Sequence, residues 1–163
     1  MEYNVIWIDD EWDTRGTSFI QICKLKHHIN IKAYKTRKEG MEALEENIDI
    51  VDAIILDAKA YNNSEEDEVP DVDGLFRARD RIKELRMKKY IPLFVFTRQP
   101  GLFTDKMFEK SVGKFYRKDE EGQRQLIEDL KSEVERLPRF QVKQLYNDSL
   151  SLLYSNIWRK ELK

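Results

Sequence analysis

Strand-like apolar runs that alternate with helical patterns are the feature that most constrains the fold of this chain. The runs are Tyr3–Ile8, Ile29–Tyr34, Val51–Leu56, Ile91–Phe96 and Val112–Tyr116. Helical patterns lie between the first three runs, over 14–27 and 38–46, and another follows the fifth run. This alternation is typical of a parallel sheet with helices on both faces. We therefore expect an α/β fold built on a doubly wound, five-stranded parallel sheet.

Two of the runs predict the centre of the sheet. Val51–Leu56 and Ile91–Phe96 are almost continuously apolar, as strands buried on both faces must be. Asp57 and Thr97 directly follow these two runs. We therefore expect their side chains to lie next to each other.

The composition indicates one globular domain without a global charge bias. The chain has 163 residues, of which 40% are hydrophobic, and 29 Lys and Arg balance 31 Asp and Glu. Neither direct nucleic-acid binding nor membrane binding follows from such a balance. We see no signal sequence and no apolar run near the roughly 20 residues of a membrane span. A cytoplasmic location is expected, and the single cysteine, Cys23, is predicted to pack in the core.

Reactive polar residues follow the predicted strands. Asp9 and Asp10 follow the first strand, Asp57 the third and Thr97 the fourth, and the fifth leads to Lys118. Ligand sites of open parallel sheets lie beyond the carboxyl ends of the strands. We therefore expect the three carboxylates, the hydroxyl and the ammonium to meet in one acidic site.

The chemistry of this set favours phosphoryl transfer. Three adjacent carboxylates repel one another unless a cation lies among them, and Mg²⁺ prefers oxygen ligands. With Mg²⁺ held by Asp9 or Asp10 and one oxygen of Asp57, the other Asp57 oxygen could attack a phosphorus atom. The hydroxyl of Thr97 and the ammonium of Lys118 would then hold phosphoryl oxygens.

Five motifs in the same order resemble those of response-regulator receiver domains, the CheY-like phospho-acceptor modules of two-component signalling. They are Ile8-Asp9-Asp10-Glu11, Ile54-Ile55-Leu56-Asp57, Asp73-Gly74, Phe96-Thr97 and Phe115-Tyr116-Arg117-Lys118. The resemblance covers roughly Asn4 to Leu137. It implies the strand order 2-1-3-4-5, a receiver domain over 1–137 and a helical extension over 138–163.

The resemblance also implies a role for each residue of the site. Asp57 would accept the phosphoryl group, Asp9, Asp10 and the backbone carbonyl of Lys59 would complete the Mg²⁺ ligands, and Thr97, Lys118 and the aromatic Phe115 would form the switch. The implied donor is a sensor histidine kinase or phosphotransfer protein. Output would pass to a downstream protein by protein contacts. Such a domain is a phosphorylated switch and not a turnover enzyme.

The sequence departs from the receiver pattern at four places. A polar, acidic loop, Tyr61–Asp73, lengthens the connection after Asp57, and Arg98 replaces the usual small residue after Thr97. Asp119 replaces the proline that usually follows the lysine. We therefore expect the Lys118 side chain to be oriented differently from that of the family. The tail after Pro138 resembles no DNA-binding module.

The tail predicts an amphipathic helix. Its apolar positions are Val142, Leu145, Tyr146, Leu150, Leu153, Ile157 and Trp158. We expect an apolar stripe of this length to be buried against another protein surface. Packing on its own domain, dimerisation with a second copy and contact with a partner protein remain open.

Two other functions remain open. The first is a degenerate receiver that acts as an interaction module without phosphorylation, with Arg98 and the acidic loop in the old site. The second is a haloacid-dehalogenase-like phosphatase, because Asp10-Glu11-Trp12-Asp13-Thr14 weakly resembles the first motif of that family. That motif requires Asp-x-Asp, however, and Trp12 stands where the second aspartate belongs.

Overall fold

A five-stranded parallel sheet forms the centre of the computed structural model, which describes residues 2–58, 80, 81, 84, 90–98 and 114–161. The strands are β1 Tyr3–Ile8, β2 Ile29–Tyr34, β3 Ala53–Leu56, β4 Leu93–Thr97 and β5 Phe115–Arg117. Their order is β2-β1-β3-β4-β5, which confirms the predicted doubly wound sheet. The predictions for Lys59, for the loop Tyr61–Asp73 and for Asp73-Gly74 lie outside the described residues.

Helices flank the sheet. After a π-helical turn, Trp12–Gly16, the described helices in chain order are α1 Thr17–His27, α2 Arg37–Glu46, α3 Glu120–Glu135 and α4 Pro138–Glu161. The predicted helices over 14–27 and 38–46 therefore exist, and their starts differ by one to three residues. Among the described helices, none has the length and apolar character needed to cross a bilayer.

The pairing of β1 with β3 places two acidic residues together. Ile8 of β1 lies opposite Leu56 of β3 in a parallel register. Asp9 and Asp57 are the next residues of the two strands, and the Asp57 N–H donates to the Ile8 carbonyl at 2.8 Å. The two carboxylates therefore leave the same edge of the sheet side by side.

Both faces of the sheet are buried, as the apolar runs predict. Alternate β1 residues point to opposite faces, so that Ile6 and Ile8 join one cluster with Leu44 of α2. Trp7 joins the other cluster, which includes Cys23 of α1. Cys23 is buried there, in agreement with the prediction.

The start of α3 is fixed by a side-chain cap and a close backbone contact. The Asp119 carboxylate accepts a hydrogen bond from the Gly122 N–H at 2.8 Å, the contact of an N-cap residue. A methyl group at Gly122 would overlap the backbone carbonyl of Arg117. Glycine therefore lets α3 begin directly against the end of β5, next to Lys118.

The first turn of α4 docks at the opposite edge of the sheet, where the strands begin. The Phe140 ring stacks on Tyr3 with 5.0 Å between ring centroids. Arg139 donates to the backbone carbonyls of Tyr90 at 2.6 Å and Asp52 at 3.3 Å. The tail is therefore attached far from the acidic edge.

The close contact at Gly122 predicts that alanine destabilises the protein at this helical position. Alanine normally stabilises a helix relative to glycine by about 1 kcal/mol. In Gly122→Ala the overlap with Arg117 should instead lower the free energy of unfolding by about 1–3 kcal/mol, measured by urea denaturation. Glu128→Ala, at an exposed position of α3, is the control and should change it by less than about 0.5 kcal/mol. A Gly122→Ala variant as stable as the wild type would refute this reading.

Candidate functional site

Three carboxylates meet at the carboxyl edge of the sheet. Asp9, Asp10 and Asp57 each place one oxygen within 4.8 Å of the others. Asp9 and Asp57 are buried and Asp10 is half-buried. We call these three residues the acidic trio. Oxygen atoms at this separation suit a hard divalent cation, so the donor set fits the predicted Mg²⁺.

Lys118 reaches into the acidic trio from the end of β5. Its Nζ lies 2.6 Å from Asp9 Oδ2 and 3.3 Å from Asp57 Oδ2. The side chain is 12% exposed. The backbone holds it in place, because the Lys118 N–H donates to the Thr97 carbonyl at 3.0 Å. With Asp119 in place of proline, the ammonium thus contacts both carboxylates, and its shorter contact is with Asp9.

The acidic trio remains electrostatically costly despite Lys118. Burial raises the pKa of Asp57 to about 6, and Lys118 offsets part of that rise. Burial likewise raises the pKa of Asp9 and of Asp10, with Asp9 adding to the rise at Asp10. Burial lowers the pKa of Lys118, but Asp57 and Asp9 outweigh it and the net shift is upward. One ammonium therefore does not neutralise the site.

Thr97 and Phe115, the predicted hydroxyl and aromatic of the switch, lie on β4 and β5. Thr97 ends β4 and is buried. Phe115 begins β5, is half-buried and packs against the core cluster on the α2 face of the sheet. The Thr97 backbone thus contacts Lys118 through its carbonyl, and Phe115 lies on the α2 face of the sheet.

A salt bridge joins the ends of the two strands that flank β3. Arg98, after β4, places Nη2 2.7 Å from Glu11 Oε2, and Glu11 follows Asp10 after β1. Arg15 lies 3.5 Å from the other Glu11 oxygen. Because Asp57 lies at the end of β3, between these strands, the Arg98–Glu11 bridge spans the edge that carries Asp57. Arg98, which replaces the usual small residue after Thr97, thus pairs with Glu11.

A cavity of about 230 Å³ opens beside the acidic trio, on the side of α1 and α3. Its walls are Trp7, Asp9, Glu11, Arg15, Gly16, Phe19, Phe96, Arg98, Lys118 and Gln123. Trp7, Phe19 and Phe96 pack against one another, with Trp7 edge-on to Phe19 at 5.5 Å. The cavity shares Asp9 and Lys118 with the site, and therefore gives access to it from one side.

Some residues of this region carry no distinct signal in the sequence. Glu11 has the pattern of an ordinary exposed acid, and only its place directly after the acid pair points to the site. Asp119 does have a signal, because an aspartate three residues before Gly122 and ahead of an apolar-periodic segment is typical of a helix start. The sequence pattern therefore predicts an N-cap role for Asp119, at the position where receivers have proline.

Comparisons with solved structures identify the fold. A response-regulator receiver domain from Clostridium thermocellum is 16% identical, with a TM-score of 0.59, and the match covers 82% of this chain and 95% of that one. A CheY-like receiver domain from Methanospirillum hungatei is 14% identical, with a TM-score of 0.57 and coverage of 83% and 95%. The chain has the receiver-domain fold.

A chemotaxis response regulator agrees with this assignment. CheY4 of Vibrio cholerae is 15% identical, with a TM-score of 0.55, and the match covers 80% of this chain and 99% of that one. No protein-family model matches the chain, and no curated protein matches it in sequence. The predicted resemblance to receiver domains is thus confirmed for the fold.

The buried charge of the receiver fold's acidic edge predicts a pH-dependent stability. Because the folded-state pKa of Asp57 is about 6 and lies above the ordinary 3.8, the folded chain binds this proton more tightly than the unfolded chain. Stability contributed by the protonated carboxyl is present below about pH 4 and is lost as pH rises through about 6. Asp57→Asn should therefore exceed the wild type in free energy of unfolding by about 1–3 kcal/mol at pH 7, and by much less at pH 4.

Urea denaturation of both proteins at the two pH values measures this difference. Asp148→Asn, the same substitution at an exposed position of α4, is the matched control and should leave the free energy of unfolding unchanged at both. If the difference in free energy of unfolding between Asp57→Asn and the wild type did not vary with pH, the raised pKa of the buried Asp57 carboxyl would be contradicted.

Proposed function

We propose that this chain is a signalling switch of the two-component type that accepts a phosphoryl group on Asp57 in a Mg²⁺-dependent reaction. The observation that supports this function best is the acidic trio with Lys118 in contact with Asp9 and Asp57, at the carboxyl edge of a receiver fold. A purely structural cluster would gain little from three carboxylates and one ammonium, because each buried charge is costly. Strongly perturbed carboxylates of this kind are typical of functional sites.

The proposed reaction begins at the carboxylate of Asp57. One of its oxygens attacks the phosphorus of a phosphohistidine on a kinase or phosphotransfer protein. The P–N bond breaks, its electron pair returns to the imidazole nitrogen, and an acyl phosphate forms on Asp57. Mg²⁺ bound to Asp9, Asp10 and Asp57 would supply positive charge next to the phosphoryl oxygens. Each chain accepts one group, so we propose a switch and not a turnover enzyme.

Lys118 and Thr97 provide the chemistry of the switch. In the unphosphorylated chain the Lys118 ammonium binds the two buried carboxylates. Phosphorylation of Asp57 replaces one carboxylate charge with an acyl phosphate, which carries three anionic or partly anionic oxygens. Lys118 and the Thr97 hydroxyl then hold these oxygens, and the change at the ends of β4 and β5 reaches Phe115. We propose that a downstream protein, in the cytoplasm with the donor, reads this face.

Phosphorylation of Asp57 is testable by intact-protein mass spectrometry. Incubation of the wild type with Mg²⁺ and acetyl phosphate or phosphoramidate should add a single phosphoryl group. Removal of Mg²⁺ with EDTA should abolish the addition, because the acidic trio then repels the donor. Asp57→Asn should remain unlabelled under the same conditions.

Two results would exclude the proposed switch. The first is a wild type that gains no phosphoryl group from either donor, and the second is equal labelling of Asp57→Asn. Turnover of a phosphate ester that survives Asp57→Asn would instead favour the phosphatase.

Lys118 also allows a test that does not depend on phosphorylation. Its ammonium occupies the negative field that would bind Mg²⁺, so its removal should strengthen binding of the ion. Lys118→Met is expected to bind Mg²⁺ about tenfold more tightly than the wild type. Intrinsic fluorescence provides the readout, because Trp12 lies two residues from Asp10.

Lys114→Met is the matched control for that titration. Lys114 is an exposed lysine just before β5, and its ammonium pairs with Asp129 at 3.0 Å, away from the acidic trio. Its substitution should leave Mg²⁺ affinity unchanged. Equal effects of the two substitutions, or weaker binding in Lys118→Met, would contradict a cation site at the trio.

One observation favours a second function, an interaction module that works without phosphorylation. The Arg98–Glu11 bridge joins the strand ends on either side of β3 and would have to open if a donor came over that edge. If the wild type binds Mg²⁺ but accepts no phosphoryl group, whereas Arg98→Ala does accept one, the bridge keeps the site closed and the module is the better description.

A further inference from the structure

The tail helix α4 exposes one apolar side to solvent. Five side chains of this side are 58–67% exposed: Val142, Leu145, Tyr146, Leu152 and Leu153. We call these five residues the α4 stripe. A contiguous apolar patch of several large side chains is rarely exposed on a monomer unless it forms an interaction surface.

The α4 stripe points away from the domain. Phe140, in the first turn of α4, is buried and stacks on Tyr3. Successive α-helical residues are about 100° apart, so every residue of the stripe lies about 120–160° around the helix axis from Phe140. Past this turn every residue from 141 to 153 is exposed except the half-buried Leu150, so the described domain does not cover the stripe. Of the three covers that the sequence left open, packing on the described domain is excluded for this part of the tail.

The other half of α4 is polar. Around the axis, the side opposite the α4 stripe carries Gln141, Gln144, Asn147, Asp148 and Ser151. Between 141 and 153 the chain has one cation, Lys143, and one anion, Asp148. A helix that lies on a membrane surface is usually rich in Lys and Arg on its polar side. The charge pattern therefore favours a protein partner over a lipid surface.

The apolar spacing and the available area fit a second copy of the same helix. Within the α4 stripe, Leu145 and Leu152 are seven residues apart, as are Tyr146 and Leu153, which is the repeat of coiled-coil positions. The α4 stripe offers roughly 500 Å² per chain, so a symmetric pair would bury roughly 1,000 Å², the size at which specific interfaces begin. In a two-fold pair the same surface meets itself, and an uncharged surface can do so without repulsion.

We propose that two copies of this chain associate through the α4 stripe. The docked first turn determines the position of the contact, because Arg139 and Phe140 hold α4 at the edge where the strands begin. The stripe starts beyond that turn, so the acidic trio stays accessible in both copies. The proposed pairing does not depend on phosphorylation.

Two serines provide a matched test. Ser149 lies within the arc of the α4 stripe, and Ser151 lies about 160° away from it around the axis. Both are exposed, and each hydroxyl donates to the carbonyl four residues earlier, at 2.8 Å for Ser149 and 2.9 Å for Ser151. Glutamate therefore introduces the same charge at both positions, in the middle of the contact at one and in solvent at the other.

Sedimentation equilibrium of the full chain measures the outcome. The wild type should have the mass of a dimer, and Ser149→Glu should weaken association at least about tenfold, because it buries an unpaired charge in an apolar contact. Ser151→Glu should associate like the wild type. Circular dichroism and the urea midpoint of the domain should be the same in all three.

Any of three results would overturn the proposal. A wild type that stays monomeric up to its solubility limit would show that the α4 stripe serves another partner. Equal weakening by both glutamates, or weakening by neither, would place the contact elsewhere. A wild-type mass above that of a dimer would exclude a two-copy pair.

Discussion

The register between β1 and β3 forces two carboxylates together at an edge where water is scarce. Asp9 and Asp57 follow the paired residues Ile8 and Leu56, so neither can leave the other without disrupting the central ladder. The sheet is held by burial on both faces, which makes such disruption expensive. Lys118 contacts both groups but supplies only one positive charge. The fold therefore maintains a net negative field at this edge at the cost of its own stability, as functional sites often do.

Much of this arrangement could be predicted from the chain itself. Continuous apolar runs locate the central strands, and an acid or hydroxyl after each run marks the edge where a ligand site lies. The adjacency of Asp9 and Asp57 needed the strand order as well, and that order came from the resemblance of the motifs to receiver domains.

The contacts of long, charged side chains were less predictable. Arg98 can reach several acids, and an exposed ion pair is worth only about 0–1 kcal/mol, so no strong preference for Glu11 is encoded in the local sequence. The tail shows a different limit. Its apolar periodicity predicts an amphipathic helix, but periodicity does not indicate which surface covers the apolar face. The direction of Phe140 relative to Val142 and Leu145 became clear only from the docked first turn.

Asp119 shows how a departure from a family pattern can preserve the geometry that the pattern serves. Its carboxylate caps α3 through the Gly122 N–H, and Gly122 lets the helix begin against Arg117. The Lys118 N–H is bound to the Thr97 carbonyl. Lys118 is therefore held from both sides by backbone contacts that do not require proline.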